Sequence, residues 1–434
     1  MNQVVVGLLG IAVLLVVFLL RMPVGFAMAF VGFIGFSYLI SPEAGPSILA
    51  RDAFYSFSSY SLTVLPMFML MGSLASASGM SHRLYNASYS LLGRLRGGLA
   101  IATVAACAAF AAICGSTNAT AAAMGKVSLP EMKRYNYADS LATGCVAASG
   151  TLGILIPPST IFIIYGIMTE QSIGKLFISG VFPGLILAVL FIMVVVVLCW
   201  RNPDLGPAGA ATSWPEKIRG LAGVMETVVL FALVISGLFF GWFSPTQAGS
   251  AGAAGTLLIG LATRQLTWQG FLGAVKEALR ITCMVMFIVY GATVFGHFMA
   301  ATTIPMLLAD WVAGLPLPPT AVMGVIVLIY LVGGCFMDAL ALITLTIPIL
   351  YPVVVALGFD PIWFGVIAVL VTGMGVITPP VAVNVFVIKG IAKDVPLETI
   401  FKGVFPFLGA QIVTVAIMLR FPQIATFLPS LTTY

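Results

Sequence analysis

The residues of this chain that could do chemistry come twice. Gly153-Ile154-Leu155-Ile156-Pro157-Pro158 is echoed by Gly375-Val376-Ile377-Thr378-Pro379-Pro380, and each copy leads to a later Gly-Val-Phe-Pro, at 180–183 and 403–406. A proline pair removes two N–H donors and clashes with the preceding turn, so a helix must break there. The break frees carbonyls before it, suited to a cation, and N–H groups after it, suited to an anionic group. Ser159, Thr160, Thr378 and Asn384 add side-chain oxygens beside the breaks. A single pair reads equally as a plain kink. Two in corresponding places point to a transporter's binding site.

Two polar turns interrupt apolar sequence elsewhere. Cys114-Gly115-Ser116-Thr117-Asn118-Ala119-Thr120 sets four polar side chains in Ala-rich sequence, where each needs a partner. Glycine lets the backbone turn and present carbonyls, hard ligands for a small cation; the other reading is that small Ser and Thr permit tight helix packing. The second turn is Gly333-Gly334-Cys335-Phe336-Met337-Asp338, with Asp338 a lone carboxylate in apolar sequence. An ionisable group there is a functional candidate, because an unpaired charge in lipid costs several kcal/mol. Capping the following helix, 339–351, is the alternative role. Gly115 stands 15 residues before Pro130 and Gly333 15 before Pro348, which pairs the two turns.

The elements that hold these residues are membrane elements. The chain is 61% hydrophobic and 8% charged, with a mean hydropathy of +1.14, against roughly 25% charged in soluble proteins. An all-α polytopic membrane protein is expected, with ten crossings near 4–20, 22–40, 54–78, 139–168, 176–200, 220–241, 246–262, 281–300, 362–390 and 403–420. The apolar stretches 98–132 and 320–352, each interrupted at a polar turn, read as re-entrant hairpins. Residues 80–97 and 302–316 read as amphipathic arms in the interface. Lipid cannot satisfy freed carbonyls, so breaks at membrane depth must be buried in protein or line a wet cavity. The expected organisation is scaffold helices over 1–53, a first repeat over 54–200, a linker over 201–219, further scaffold helices and an arm over 220–280, and a second repeat over 281–434.

Charge sets the orientation. With the N-terminus outside, 16 of the 19 Lys and Arg fall on the cytoplasmic side, leaving Arg51, Lys175 and Arg420 outside. Arg83, Arg94, Arg96, Lys133 and Arg134 flank the first hairpin, which therefore enters from the cytoplasm. Residues 281–388 hold no Lys or Arg, so the second hairpin enters from outside. The halves are then an inverted-topology repeat, from which alternating access follows.

The same sequence excludes other classes. A scattered formal charge of +5 argues against nucleic acid. The six cysteines lie in or beside apolar runs with no metal spacing, and read as small packing residues. No HExxH, GxSxG, Walker or GxGD pattern is present, so neither an enzyme nor an ATP-driven pump is expected, and no catalytic residue or cofactor. Glu226, near a helix start, and His297, near a helix end, read as structural. Residues 4–20 lack a basic leader and a cleavage site, and read as a retained first helix.

These residues resemble the large membrane subunit of the tripartite ATP-independent periplasmic (TRAP) transporters, the family of the C4-dicarboxylate and sialic acid systems. The likeness covers nearly the whole chain. It runs from Arg21-Met22-Pro23-Val24-Gly25-Phe26 through Gly115–Ala122 and Gly150–Ser159 to Asp394-Val395-Pro396-Leu397 and Gly403–Phe407. The doubled Pro-Pro motif is shared with distant relatives among elevator carriers. The resemblance implies sodium-coupled uptake of an organic anion, a C4-dicarboxylate or a sugar acid, with the hairpin domain moving as an elevator. It implies three partners: a soluble periplasmic binding protein that selects and delivers the anion, a small four-helix membrane subunit, and the bilayer of a bacterial or archaeal cytoplasmic membrane. The first residue nearly opens the first span, so the small subunit is expected as a separate chain. The alternative is a self-sufficient sodium-coupled carboxylate carrier.

Sodium is the only metal the resemblance implies. Its first site maps onto the first tip, Cys114, Gly115, Ser116, Thr117 and Asn118, with Gly153, Ile156 and Pro157. The second maps onto Gly333 and Gly334 with Gly375, Thr378 and Val381. Most ligands are backbone carbonyls. The family often has two serines where this chain has Ser116-Thr117 or Thr117-Asn118. Thr120, Pro158, Ser159, Thr160, Asp338, Pro380 and Asn384 are expected to face the anion.

Overall fold

The computed structural model describes residues 2–20, 22–209 and 214–432, and all the regular structure among them is helical. Seven helices are long and apolar enough to cross a membrane, and several shorter ones are equally apolar. The chain opens with α1 (Gln3–Leu19), α2 (Val24–Leu39), α3 (Ala44–Ser58) and α4 (Val64–Ala77). The single crossing expected over 54–78 is therefore two helices, separated by an extended Ser59 and a 3-10 turn at Tyr60–Thr63. Pro66 explains the restart: in the first turn of α4 a proline's missing N–H has no intrahelical bond to lose. Helix α5 (Met80–Leu92), the first expected arm, is tied to its neighbours through Arg83, which donates to the Ser78 carbonyl, to Gln265 and to Glu226, at 2.9, 2.7 and 2.9 Å.

The first repeat comprises α6 (Gly98–Cys114), α7 (Thr117–Arg134), α8 (Asp139–Ser149), the single turn α9 (Leu152–Leu155), α10 (Thr160–Thr169) and α11 (Ile173–Arg201). Asn202 caps a short turn at the start of the linker, and residues 210–213, like Arg21, lie outside the described residues. The linker ends earlier than 219, since α12 (Trp214–Phe239) begins with Pro215 in its first turn. Then come α13 (Pro245–Ala262), α14 (Trp268–Ala301) and α15 (Ile304–Ala313), the second expected arm. The crossing expected over 281–300 is only the distal part of the 34-residue α14. The second repeat follows as α16 (Pro319–Phe336), α17 (Ala339–Ala356), α18 (Pro361–Gly375), α19 (Val383–Ile391) and α20 (Leu397–Arg420), with α21 (Gln423–Ser430) last.

The repeats stand in one register. Helices α7 and α17 begin 222 residues apart and end 222 apart, α8 and α18 begin at the same offset, and so do the proline pairs. That offset matches Pro130 with Pro352, not with Pro348, and Gly115 with Met337, not with Gly333. The equivalence drawn from the 15-residue glycine–proline spacing was one helical turn out. Gly333 and Gly334 lie inside α16, and the second turn is at Met337–Asp338.

The repeats are also interleaved. Half-helix α10 packs on α17 of the second repeat, while α19 packs on α7 and α8 of the first. Asp394, just beyond α19, pairs with Lys133 at the end of α7, and that hydrogen bond holds the Asp394 carboxyl below its usual range. Helices α8 and α20 meet where Gly144 faces Gly403, so closely that a Cβ on Gly403 would stand 1.8 Å from the Ser140 carbonyl oxygen.

Gly403→Ala should therefore destabilise the protein by about 1–3 kcal/mol, as forced overpacking does. Gly409→Ala on the same helix, with nothing within 4 Å of the new methyl, should leave stability unchanged. Melting curves of the two variants in detergent make the comparison. A Gly403→Ala melt equal to wild type would mean that α8 and α20 separate cheaply.

Candidate ion and substrate site

Each repeat brings a helix-pair tip onto its own proline break. At the first tip Gly115 adopts φ +66°, a left-handed conformation that ends α6 and that glycine reaches without strain. Ser116 is extended and caps α7, accepting from the Ala119 N–H. Thr117 is buried and donates to the Asn118 amide oxygen at 3.3 Å, while Ser116 and Asn118 are half-buried. Thr120 is fully buried without an oxygen or nitrogen partner, beside the Cys114 thiol. The break lies directly against this turn. A Cβ on Gly153 would come within 2.5 Å of the Ser116 carbonyl oxygen and 2.6 Å of the Thr120 hydroxyl.

The bond between Pro157 and Pro158 is cis, and beyond it Ser159 caps α10 by accepting from the Phe162 N–H. Thr160 then reaches back to the tip, its N–H and its hydroxyl both donating to the Gly115 carbonyl, at 3.3 and 2.9 Å. Thr160 thus fastens the break to the tip, and Ser159 and Thr160 are both buried. Among the described residues no hydrogen bond reaches the Ile156 carbonyl, which sits just before the proline pair.

The second assembly repeats this plan with fewer bonds. Its proline bond is also cis, and the Val381 N–H donates to the Cys335 carbonyl at 3.0 Å. The Thr378 carbonyl, equivalent to that of Ile156, accepts no hydrogen bond among the described residues, and the Thr378 hydroxyl donates to the Met374 carbonyl at 2.7 Å. Gly334 and Gly375 face each other where α16 crosses α18; a Cβ on Gly375 would stand 2.4 Å from Gly334 backbone. The Gly333 carbonyl accepts from the Met337 N–H as an ordinary helical bond. Asp338 is half-buried, joins no ion pair among the described residues, and caps α17 by accepting from the Leu340 N–H at 3.1 Å. The capping role is therefore present.

The two breaks differ in exposure. Pro157 to Thr160 are buried, whereas Pro379, Pro380 and Val381 are exposed. Helix α4 covers the first tip, with Gly72 against the Cys114 carbonyl. Asn384 departs from the other expected anion contacts. It is fully buried, and its amide donates to the Ala147 carbonyl at 3.0 Å, in the first repeat. Sequence reasoning missed Cys335, whose carbonyl holds the second break, and Gln411, which donates to Thr151 beside the first at 2.9 Å. The constant 222-residue offset is the signal that would have narrowed the second tip to Met337–Asp338.

Residues 11–424 match the family described as tripartite ATP-independent periplasmic transporter, DctM component. The chain belongs to that family. It is 36% identical to the C4-dicarboxylate TRAP transporter large permease protein DctM of Pseudomonas aeruginosa, over 90% of this chain and 91% of that protein. It is 32% identical to the sialic acid TRAP transporter large permease protein SiaM of Vibrio cholerae, over 94% and 95%. Among solved structures it resembles the YdaH transporter of Alcanivorax borkumensis, with a TM-score of 0.63 at 14% identity, covering 87% of this chain and 88% of that one. At that identity the likeness is one of fold. This chain is thus a TRAP large permease, a membrane protein.

Asp338→Asn should melt close to wild type, because asparagine caps a helix as well as aspartate, while Asp338→Ala should lose about 1 kcal/mol. Equal losses in both would mean that charge, not the cap, holds the second tip.

Proposed function

We propose that this TRAP permease takes up an organic anion, a carboxylate such as a C4-dicarboxylate or a sugar acid, driven by sodium entering down its gradient. The observation that carries the reading is the pair of free carbonyls at Ile156 and Thr378. They occupy equivalent places, each one residue before a cis proline pair and within a break held to a helix tip. Unpaired carbonyls at membrane depth need a partner, and a small hard cation takes such oxygens. The first sodium is held by the tip residues Cys114 to Asn118 with Gly153, Ile156 and Pro157. The second is held by the Thr378 carbonyl with Val381, Gly375 and the α16 end carrying Gly333 and Gly334. The anion lies between the assemblies, near Thr120, Pro158, Asp338 and Pro380.

In this reading α6–α7 and α16–α17 are re-entrant hairpins of two inverted repeats that move together as an elevator. The scaffold is 1–53 and 220–280, and the N-terminus lies outside the cytoplasmic membrane. A periplasmic binding protein delivers the anion and a small four-helix subunit completes the scaffold. Names of relatives support this use: C4-dicarboxylate and sialic acid for the two above, and isethionate for the DctMQ permease of Oleidesulfovibrio alaskensis, 35% identical over 87% of this chain and 60% of that protein.

Reconstituted with its small subunit, the chain should take up anion only when binding protein and an inward sodium gradient are both supplied. Uptake surviving replacement of sodium by choline would remove sodium from the mechanism, and vigorous uptake without binding protein would favour a self-sufficient carrier.

Thr378 tests the second site. Thr378→Val should raise the half-saturating sodium concentration roughly five- to tenfold, the worth of a hydrogen bond or two of similar strength. Thr378→Ser, which keeps the hydroxyl, should stay near wild type, as should Ile156→Val, where only the carbonyl is available. Equal effects of Thr378→Val and Ile156→Val on sodium activation would assign the loss to packing around the breaks.

A further inference from the structure

We propose that Asn384 is a positioning residue that makes cation occupancy of the two sites interdependent; this rests on the sodium reading above. Asn384 belongs to the second break through its backbone and to the first through its side chain. Its N–H donates to the Val376 carbonyl at 3.1 Å, closing the loop that carries Thr378, Pro379 and Pro380. Its side-chain nitrogen donates across 237 residues of sequence to the Ala147 carbonyl, in the last turn of α8 before the first break. The same nitrogen lies beside Gly150, where an added Cβ would stand 2.9 Å from it and 3.2 Å from the Thr117 carbonyl oxygen. One residue therefore ties the loop of one site, through its backbone, to the helix entering the other, through its side chain, beside Gly150 at the foot of the first tip.

Packing alone does not account for an asparagine here. The residue is fully buried, and its amide oxygen has no hydrogen-bond partner. A buried, unsatisfied carbonyl is disfavoured relative to an apolar side chain of the same shape, so leucine would fill the space better. What leucine would not supply is the donor to Ala147. The first repeat has Phe162 at the corresponding position, 222 residues earlier, and Phe162 packs against Gly180. The polar link thus runs from the second break to the helix that enters the first, and has no mirror image at Phe162. When a cation orders the loop at Thr378, α19 is fixed, and through Asn384 so are the end of α8 and the floor of the first tip. Ordering done by one ligand need not be repeated by the other, which is positive cooperativity.

The test uses the full transporter with its small subunit and binding protein. In wild type, sodium activation of uptake should show a Hill coefficient of about two, one for each proposed site. Asn384→Leu should bring it to about one and raise the half-saturating sodium. Amide exchange of residues 115–121, which lie in the other repeat, should become faster in the purified protein. Asn384→Asp should behave like Asn384→Leu at pH 8, where a carboxylate faces the Ala147 carbonyl, and should regain wild-type cooperativity towards pH 5.5 as the acid becomes a donor. A role confined to packing would not produce that pH-dependent rescue. An Asn384→Leu protein with wild-type cooperativity and unchanged exchange at 115–121 overturns the proposal. If wild type shows no sodium activation at all, the sodium reading falls, and the exchange comparison still decides whether Asn384 ties the second break to the first tip: unchanged exchange rejects the tie, faster exchange keeps it.

Discussion

Everything in this fold turns on backbone groups that a proline pair leaves without partners. In water such groups would be solvated at no great loss. In a chain this apolar they must be met by protein or by ligand, and the nearest protein available is a second helix end. Both tips do this work in the same way: the carbonyl that ends one helix accepts from the N–H that begins another, Gly115 from Thr160 and Cys335 from Val381. Neither tip nor break could sit in an apolar surround alone. Each supplies what the other lacks, and among the described residues the carbonyls of Ile156 and Thr378, just before the proline pairs, accept no hydrogen bond.

That constraint also explains the interleaving. A half-helix that starts at a break in one repeat needs apolar cover along its length, and its own repeat has already spent its faces on the tip. Helix α10 finds the cover on α17, and α19 finds it on α7 and α8. Tyr165 of α10 packs edge-on against Tyr351 and Phe364 of the second repeat, and Gln171, just past α10, donates to the Tyr351 hydroxyl at 3.2 Å. The two halves are consequently one folding unit at their centre, whatever their separate ancestry in sequence.

Much of this was legible from residue types. The breaks at Pro157-Pro158 and Pro379-Pro380, the first turn at Gly115-Ser116 and the capping capacity of Asp338 all follow from local rules about donors, φ angles and caps. The second turn was drawn too widely, over Gly333–Asp338, because glycine served as the marker. Gly333 and Gly334 mark close helix crossing, and the turn four residues later is made by Met337 and Asp338 without any glycine. Nor could local rules reveal Asn384 or Gln411, whose partners lie 237 and 260 residues away. The split between α3 and α4 was missed because the serine-rich stretch Ser56–Ser61 was read as part of one span, while the backbone breaks at Ser59.

The repeats share a plan, and their differences lie in a few side chains. At the first break two hydroxyls act: Ser159 caps α10 and Thr160 adds a second bond to the Gly115 carbonyl. The corresponding residues 222 positions on are Val381 and Ala382, which can do neither. Helix α19 begins with no side-chain cap, and among the described residues the N–H groups of Ala382 and Val383 donate to nothing. The second tip is thus joined to its break by one hydrogen bond, where the first has two, from the Thr160 N–H and hydroxyl to the Gly115 carbonyl, and the second break is the exposed one. Fewer bonds make it the cheaper assembly to open, and uncapped N–H groups at a helix start favour an anion. Of two breaks built alike, the second has donors to spare.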